Sequence, residues 1–179
     1  MKIYNKNLCV FAMSSFLLMA CDQAADNQSA DVSVPQVAVA TVSELGATVA
    51  LSNDNISVYK GDTFTLDIVM DEFKTSEGGG VTLRFDADLV QVVNVTVDSS
   101  VWQFKNKDGF VNNAEGTVSD ILFSSYQGVE GSAKVATVEF KSIERGVSAI
   151  TLEESAANAF ASGGEKVAVV FKTTTVSSN

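Results

Sequence analysis

The sequence predicts an all-β domain, a two-sheet β-sandwich or jelly roll of about nine strands. Three observations lead to this fold class. Apolar and polar residues alternate over several short segments after residue 47, turn signals rich in Gly and Asp separate these segments, and no dozen residues carry a helical period. About nine short strands in roughly 130 residues are typical of a sandwich or jelly roll.

Each predicted strand has one apolar face, and the first of them alternates over residues 63–70. Residues 89–97 differ, since they are apolar on both faces apart from Gln91 and Asn94, which predicts a strand covered on both sides. Turns are predicted at residues 60–62, 78–80, 107–109, 115–116, 128–131, 145–146 and 163–164. The expected inner faces are Phe64, Leu66, Ile68 and Met70; Val81, Leu83 and Phe85; Ile121 and Phe123; Ala136, Val138 and Phe140; Ile150 and Leu152; and Val167, Val169 and Phe171.

The N-terminal segment has a different pattern. Lys2 and Lys6 precede a mostly apolar run over residues 8–20, which is too short to span a bilayer and is typical of a secretory signal peptide. The run ends in Leu18-Met19-Ala20-Cys21, which resembles the bacterial lipobox. That resemblance implies removal of residues 1–20 and a lipid on Cys21. The alternative is an ordinary signal peptide followed by a chance cysteine.

Lipidation would place the protein in a bacterial cell envelope, anchored to a membrane. Asp22 resembles an inner-membrane retention signal, but other bacterial groups use different rules. The periplasmic side of the inner membrane and the outer membrane therefore both stay open. Residues 21–46 contain the only proline, Pro35, and show no sustained period, which predicts a flexible tether. An extra edge strand over residues 32–42 is the alternative. The folded domain is expected to cover residues 47–179.

Composition excludes several classes of function. The formal charge of −10 becomes −12 once the leader takes Lys2 and Lys6 away, and such a field repels nucleic acid. The chain has no histidine, so it cannot form a Ser-His-Asp triad or a histidine-based metal site. Glu153 and Glu154 point to opposite sides of a strand, so they are not a catalytic pair. We therefore expect no enzyme activity, no cofactor and no metal.

Two segments carry a resemblance to a known family. Arg84-Phe85-Asp86-Ala87-Asp88-Leu89-Val90-Gln91-Val92-Val93-Asn94-Val95 and the strand at residues 135–140, V-A-T-V-E-F, resemble the cohesin domain, and the match extends over about residues 47–176. Ala87 departs from the proline that cohesins commonly have at this position. The resemblance implies a jelly roll that binds dockerins, which are small calcium-loaded helical modules. The alternative is a carbohydrate-binding module for polysaccharide, a class that shares this jelly roll.

In cohesins the partner docks on one open sheet face, so the resemblance makes the outward side chains of the corresponding strands the candidate binding residues. Leu122 would be an apolar centre within a polar rim, as expected of a protein-binding face. The alternative is that a neighbouring loop covers Val118 and Leu122. The candidate residues are Thr82, Arg84, Val118, Asp120, Leu122, Ser124, Thr151 and Glu153.

Two further groups of residues have chemical potential. Asp86 and Asp88, and the run at residues 53–55, could ligate calcium, but neither has the spacing of an EF-hand, and turn capping is the favoured interpretation. The other group consists of aromatic residues that could stack on sugar rings, although Trp102 is better interpreted as a core residue that closes one end of the sandwich. These aromatic candidates are Trp102, Phe104, Tyr59 and Tyr126.

Overall fold

The computed structural model describes residues 47–179, so the predicted leader, Cys21 and the tether lie outside the described residues. This part of the chain is all β, which confirms the predicted fold class, and it contains no helix that could cross a membrane. It has eleven strands rather than nine: β1 (Ala47–Leu51), β2 (Asn55–Val58), β3 (Thr63–Arg84), β4 (Val90–Val97), β5 (Lys107–Asn112), β6 (Thr117–Ser142), β7 (Gly146–Glu154), β8 (Ala161–Ser162), β9 (Glu165–Lys166), β10 (Val169–Phe171) and β11 (Thr174–Ser178).

The two long strands, β3 and β6, organise the fold. They run antiparallel to each other with several register shifts, and each contributes to both layers of the sandwich. The first layer has the order β10–β1–β3–β6–β4 and uses residues 63–71 of β3. The second layer has the order β2–β11–β7–β3–β6–β5 and uses residues 78–84 of β3 and 117–124 of β6.

One hydrophobic core lies between the two layers, as the alternation predicts. Phe140 shows the contact, because its ring stacks on Phe64 at 5.3 Å and meets the edge of Phe85 at 6.3 Å. The predicted inner faces are buried in the strands up to β7, with Phe64 half-buried. Val167, Val169 and Phe171 are only half-buried against the core, because this segment breaks into the short strand β10 at the edge of the first layer.

The prediction that residues 89–97 are covered on both sides is wrong. Strand β4 pairs with β6 at the end of the first layer, and Gln91 and Val93 are exposed on its outer face. The run of valines predicted burial on both faces of the strand. In the structure only the inward valines, Val90, Val92, Val95 and Val97, are buried.

Three of the predicted turns are also wrong, since residues 78–80, 107–109 and 128–131 lie inside β3, β5 and β6. Gly79 illustrates the physical reason. A Cβ atom built on this residue would lie 2.8 Å from the Phe160 ring, so glycine here permits close packing of a strand rather than chain reversal. The predicted turns at residues 60–62, 115–116 and 163–164 are confirmed.

Candidate functional site

The outward surface of the second layer brings most of the candidate residues together. We call the outward side chains of β7, β3, β6 and β5 the front face. Its members alternate with buried residues: Thr82 lies between Val81 and Leu83, and Leu122 between Ile121 and Phe123. The structure thus places seven of the eight candidates on an accessible face within hydrogen-bonded neighbouring strands: Thr82, Arg84, Asp120, Leu122, Ser124, Thr151 and Glu153.

Leu122 lies near the middle of this face. It pairs with Lys107 on β5 and with Gly80 on β3, and a Cβ atom on Gly80 would lie 2.8 Å from the Leu122 Cδ2 atom. The absent side chain of Gly80 gives the leucine room to lie against the strand backbone. The segment after β7 lies beside it, because the same Cβ atom would lie 2.9 Å from Ser155 Cβ and 3.0 Å from the Asn158 carbonyl oxygen. Leu122 is therefore a half-buried apolar residue of the front face with a loop at its β3 side.

An ion pair borders this centre on the β7 side. The Arg84 Nη2 atom lies 2.7 Å from the Glu153 Oε1 atom, and Arg84 Nε donates a 2.9 Å hydrogen bond to the same oxygen. This hydrogen bond and the negative charge of Glu153 raise the pKa of the Arg84 guanidinium. Both side chains are half exposed, so solvent screens the pair and it adds little to stability. Its contribution is to fix two opposite charges at a defined place on the face.

A second charged group borders the centre on the β5 side. Ser155 Oγ donates a 2.7 Å hydrogen bond to Asp120 Oδ1, and Lys107 Nζ lies 3.6 Å from Asp120 Oδ2. The same ammonium lies 3.6 Å from the ring centroid of Phe110, within the range of a cation–π interaction. Phe110 is 61% exposed although it is a large apolar residue. This side of the face therefore offers an ordered charge pair beside an open aromatic ring.

The orientation expected for Val118 is wrong. Val118 is fully buried, because β6 carries a bulge between Val118 and Ile121: their partners on β3, Leu83 and Val81, are only two residues apart. The extra residue shifts the alternation of inward and outward side chains by one position. Asp120 lies in the bulge and adopts the left-handed conformation, with a φ of 56°. Val118 and Ile121 consequently both point into the core.

Ser124 lies on the front face but its hydroxyl is occupied within the protein. It donates to the Lys105 carbonyl at 3.0 Å and accepts from the Lys105 amide at 3.0 Å. This hydroxyl holds the segment before β5 against β6. Ser124 is therefore a positioning residue rather than a contact residue.

Lys107 and Phe110 belong to the front face but were not among the sequence candidates. Residues 107–109 look like a turn in sequence, so the strand that carries both side chains was not predicted. Gly109 has a φ of 88° inside β5, which is the conformation that the turn signal anticipated, but the chain continues as a strand. The apolar pair Phe110-Val111 directly after this glycine was the one available signal.

Among the candidate calcium ligands, Asp86 serves as a turn cap. Asp86 Oδ1 accepts a 2.9 Å hydrogen bond from the Asp88 amide, and the Asp86 carbonyl accepts from the Leu89 and Val90 amides. In the run at residues 53–55, the Asn53 carbonyl accepts from Thr174 Oγ1 at 2.7 Å. Residues 47–179 contain no cluster of three or more acidic side chains that could hold a metal ion. The turn-capping interpretation is therefore supported at Asp86, whereas at residues 53–55 the bonded group is a backbone carbonyl.

Glu153 and Glu154 lie on opposite sides of β7 and each pairs with its own cation. Glu153 is bound by Arg84, while Lys166 Nζ donates to Glu154 Oε2 at 2.7 Å and lowers the pKa of Glu154. Each carboxylate thus has a separate cationic partner. Neither is placed to work with the other as an acid and base across a substrate.

The aromatic candidates separate into buried and exposed rings. Trp102 is fully buried, its Nε1 atom donates to the Lys134 carbonyl at 2.9 Å, and its ring lies 4.6 Å from that of Phe123. This confirms Trp102 as a core residue and excludes it as a platform for sugar rings. Phe104, Tyr59 and Tyr126 are exposed.

Comparison with solved structures shows the fold to be that of cohesin domains. The third cohesin of ScaC from Acetivibrio cellulolyticus, solved with the ScaB dockerin, is 17% identical with a TM-score of 0.59, covering 74% of this chain and 98% of that chain. A non-cellulosomal cohesin from the archaeon Archaeoglobus fulgidus is 16% identical with a TM-score of 0.59, and the match covers 75% of this chain and 91% of that chain. The OlpC cohesin from Clostridium thermocellum, solved in complex with Doc435, is 13% identical with a TM-score of 0.58, and the match covers 74% of this chain and 94% of that chain. No protein-family model and no curated protein sequence matches the chain.

Proposed function

We propose that residues 47–179 are a non-catalytic binding module of the cohesin type, which takes a dockerin-like protein partner on the front face. The observation that carries this proposal is the arrangement around Leu122. Leu122 on β6 lies between the strands that carry two ion pairs, Arg84–Glu153 and Lys107–Asp120, and the exposed ring of Phe110 lies beside Lys107 on the edge strand β5. An apolar centre with a polar, charged rim is the common anatomy of a protein–protein interface.

The solved structures with this fold support a protein as the partner. Two of the three described above are complexes of a cohesin with a dockerin. An open sheet offers a flat surface, which suits a protein better than a small molecule, because small ligands bind in concave sites. Glu153 on the front face is paired with Arg84 and Glu154 on the opposite side of β7 with Lys166, so the two glutamates do not face a common substrate as an acid and a base.

The test is a charge introduced at the centre of the front face. Leu122→Asp should weaken binding of the partner by about 30-fold or more, since an interface hot spot contributes at least about 2 kcal/mol and the new carboxylate would be desolvated. The full chain would be tagged and produced in its native host, and the protein that co-purifies with it would be identified and quantified by mass spectrometry.

The matched control is Thr65→Asp, an exposed position on the outer surface of the first layer. It should leave co-purification unchanged, and circular dichroism should show both variants folded. Equal loss of the partner in both variants, or full retention in a folded Leu122→Asp variant, would place the interface elsewhere.

We also propose that the module is held at a membrane of a bacterial cell envelope by a lipid on Cys21. Support comes from the sequence Leu18-Met19-Ala20-Cys21 and from the acidic residue that follows it. Two or more acyl chains anchor a protein stably, whereas one chain binds only marginally. Cys21→Ala should therefore move the protein from the membrane fraction to the soluble fraction in cell fractionation. A Cys21→Ala protein that still sediments with membranes, or mass spectrometry of an unmodified wild-type N-terminus, would refute the anchor.

A further inference from the structure

A pair of exposed aromatic rings lies beyond the start of β5, outside the apolar centre of the front face. The ring centroids of Phe104 and Tyr126 are 3.8 Å apart with an interplanar angle of 40°. Phe104 is 42% exposed and Tyr126 is 78% exposed, whereas the rings of Trp102 and Phe123 nearby are fully buried. Tyr126 therefore presents most of its ring to solvent while Phe104 supports it on one side.

Hydrogen bonds hold the Phe104 segment against β6. The Phe104 amide donates to the Ser124 carbonyl at 3.1 Å, and the Ser124 hydroxyl bonds both backbone groups of Lys105. The Lys105 ammonium lies 5.3 Å from the Phe104 ring centroid, which adds a cation–π contact. The Phe104 side of the ring pair is therefore ordered before a ligand binds, which lowers the entropic cost of binding there.

An open cleft of about 290 Å³ adjoins Tyr126. This volume is at the lower end of the range for small-ligand sites. Its lining has no charged side chain, although the chain as a whole carries a formal charge of −10. The side-chain hydrogen-bonding groups in the lining are amides and hydroxyls, from Gln103, Ser125, Gln127 and Tyr126 itself. Gln103 Nε2 donates to the Ser100 carbonyl at 3.0 Å, which orients that side chain.

We propose that this cleft binds a neutral glycan, with one pyranose ring stacked on Tyr126. The C–H groups on one face of a pyranose ring pack on an aromatic face, and its hydroxyl groups match the amides and hydroxyls of Gln127, Gln103 and Ser125. An uncharged lining in an acidic protein disfavours an anionic sugar, because the overall field repels it and no cationic side chain lines the cleft to offset that repulsion. This second binding activity goes beyond the protein-binding function proposed for the front face.

The experiment titrates the full chain, purified in detergent, with cellohexaose, xylohexaose and mannohexaose as neutral probes and pentagalacturonate as an anionic probe. Binding would be measured by isothermal titration calorimetry. We expect at least one neutral probe to bind wild-type protein, and Tyr126→Ala to weaken that binding about tenfold, which is the loss expected for one aromatic contact. Tyr126→Phe keeps the ring face and should retain binding within about threefold.

Two controls keep the outcome specific. Tyr59→Ala removes an equally open tyrosine, 70% exposed in the turn after β2, and should leave glycan binding unchanged. Leu122→Asp should also leave it unchanged, which separates this site from the front face. The proposal is overturned if none of the neutral probes binds, if pentagalacturonate alone binds, or if Tyr126→Ala binds them as wild type does. Loss of the protein partner in Tyr126→Ala, without any glycan binding by the wild type, would assign the ring pair to the protein interface instead.

Discussion

Asp120 is the residue on which the geometry of the front face depends most. It has a φ of 56°, in the left-handed region that costs an L-residue other than glycine about 1–2 kcal/mol. In this position its carboxylate makes two stabilising contacts, because it accepts a hydrogen bond from Ser155 and lies 3.6 Å from the Lys107 ammonium. Strain of this kind persists only where surrounding contacts hold the residue in place. Here the strained residue orders one of the two charge pairs beside Leu122.

Two substitutions at Asp120 separate backbone strain from the loss of the carboxylate. Both Asp120→Gly and Asp120→Ala remove the hydrogen bond from Ser155, but glycine also removes the strain. We therefore expect Asp120→Gly to be more stable than Asp120→Ala by about 1 kcal/mol in the free energy of unfolding, measured by urea denaturation. If the alanine variant is as stable as the glycine variant, the bulge does not hold residue 120 in a left-handed conformation.

The same bulge limits what could be predicted for individual residues. Thr82, Arg84, Leu122 and Thr151 could be assigned to the outer surface because each is flanked by buried residues in a strict two-residue period, and Glu153 because it follows the buried Leu152. Val118 follows that period in sequence but not in space, since one extra residue in β6 reverses the direction of every side chain before it. No local signal distinguishes Ser119-Asp120 from an ordinary pair of strand residues.

At the scale of the elements, the edge strand β4 is protected by two side chains that take the place of a neighbouring strand. Asn113 bonds both backbone groups of Val92: its Oδ1 atom accepts from the Val92 amide at 2.8 Å, and its Nδ2 atom donates to the Val92 carbonyl at 2.9 Å. Asp108 Oδ1 accepts from the Val97 amide at 2.7 Å. Exposed strand edges promote pairing with other chains, so these contacts close an edge rich in valine.

Removing Asn113 should therefore weaken this edge. We expect Asn113→Ala to lower the free energy of unfolding by about 1–3 kcal/mol, because two backbone groups of Val92 lose their partners. Hydrogen exchange of the Val92 amide should accelerate in the same variant. Asn94→Ala is the control, since the Asn94 side chain bonds only the Thr96 hydroxyl, and it should change stability by less than about 0.5 kcal/mol. Equal stability of the two variants would show that Asn113 does not protect β4.

The lengths of β3 and β6 could not be predicted from the sequence. Glycine is used both in turns and in strands that pack closely, and the sequence alone does not tell these apart. At Gly78 and Gly79 the deciding partners are the Phe123 carbonyl and the Phe160 ring, which are more than 40 residues away along the chain. Three short turns were therefore predicted where the chain continues as strand, and Lys107 and Phe110 were missed with one of them.

At the scale of the whole molecule, the sandwich itself was predictable. A two-residue period sorts Leu66, Ile68 and Met70 into one face, and residues of this kind from both layers form the single core. The alternation of apolar and polar residues could not predict which strands pair within each layer, because that pairing depends on contacts between distant segments. The cohesin resemblance implied only the jelly-roll fold, which the TM-scores of 0.57 to 0.59 to solved cohesins support.

The central claim is that a protein partner docks on the front face, and site-specific photo-cross-linking tests it most directly. Benzoylphenylalanine would replace Leu122 or Phe110 in the full chain in its native host, and the exposed Val93 on the outer face of β4 would serve as an apolar control. The account predicts one discrete protein adduct from both front-face positions and none from position 93. An adduct from position 93 alone, or no protein adduct from either front-face position, would contradict it.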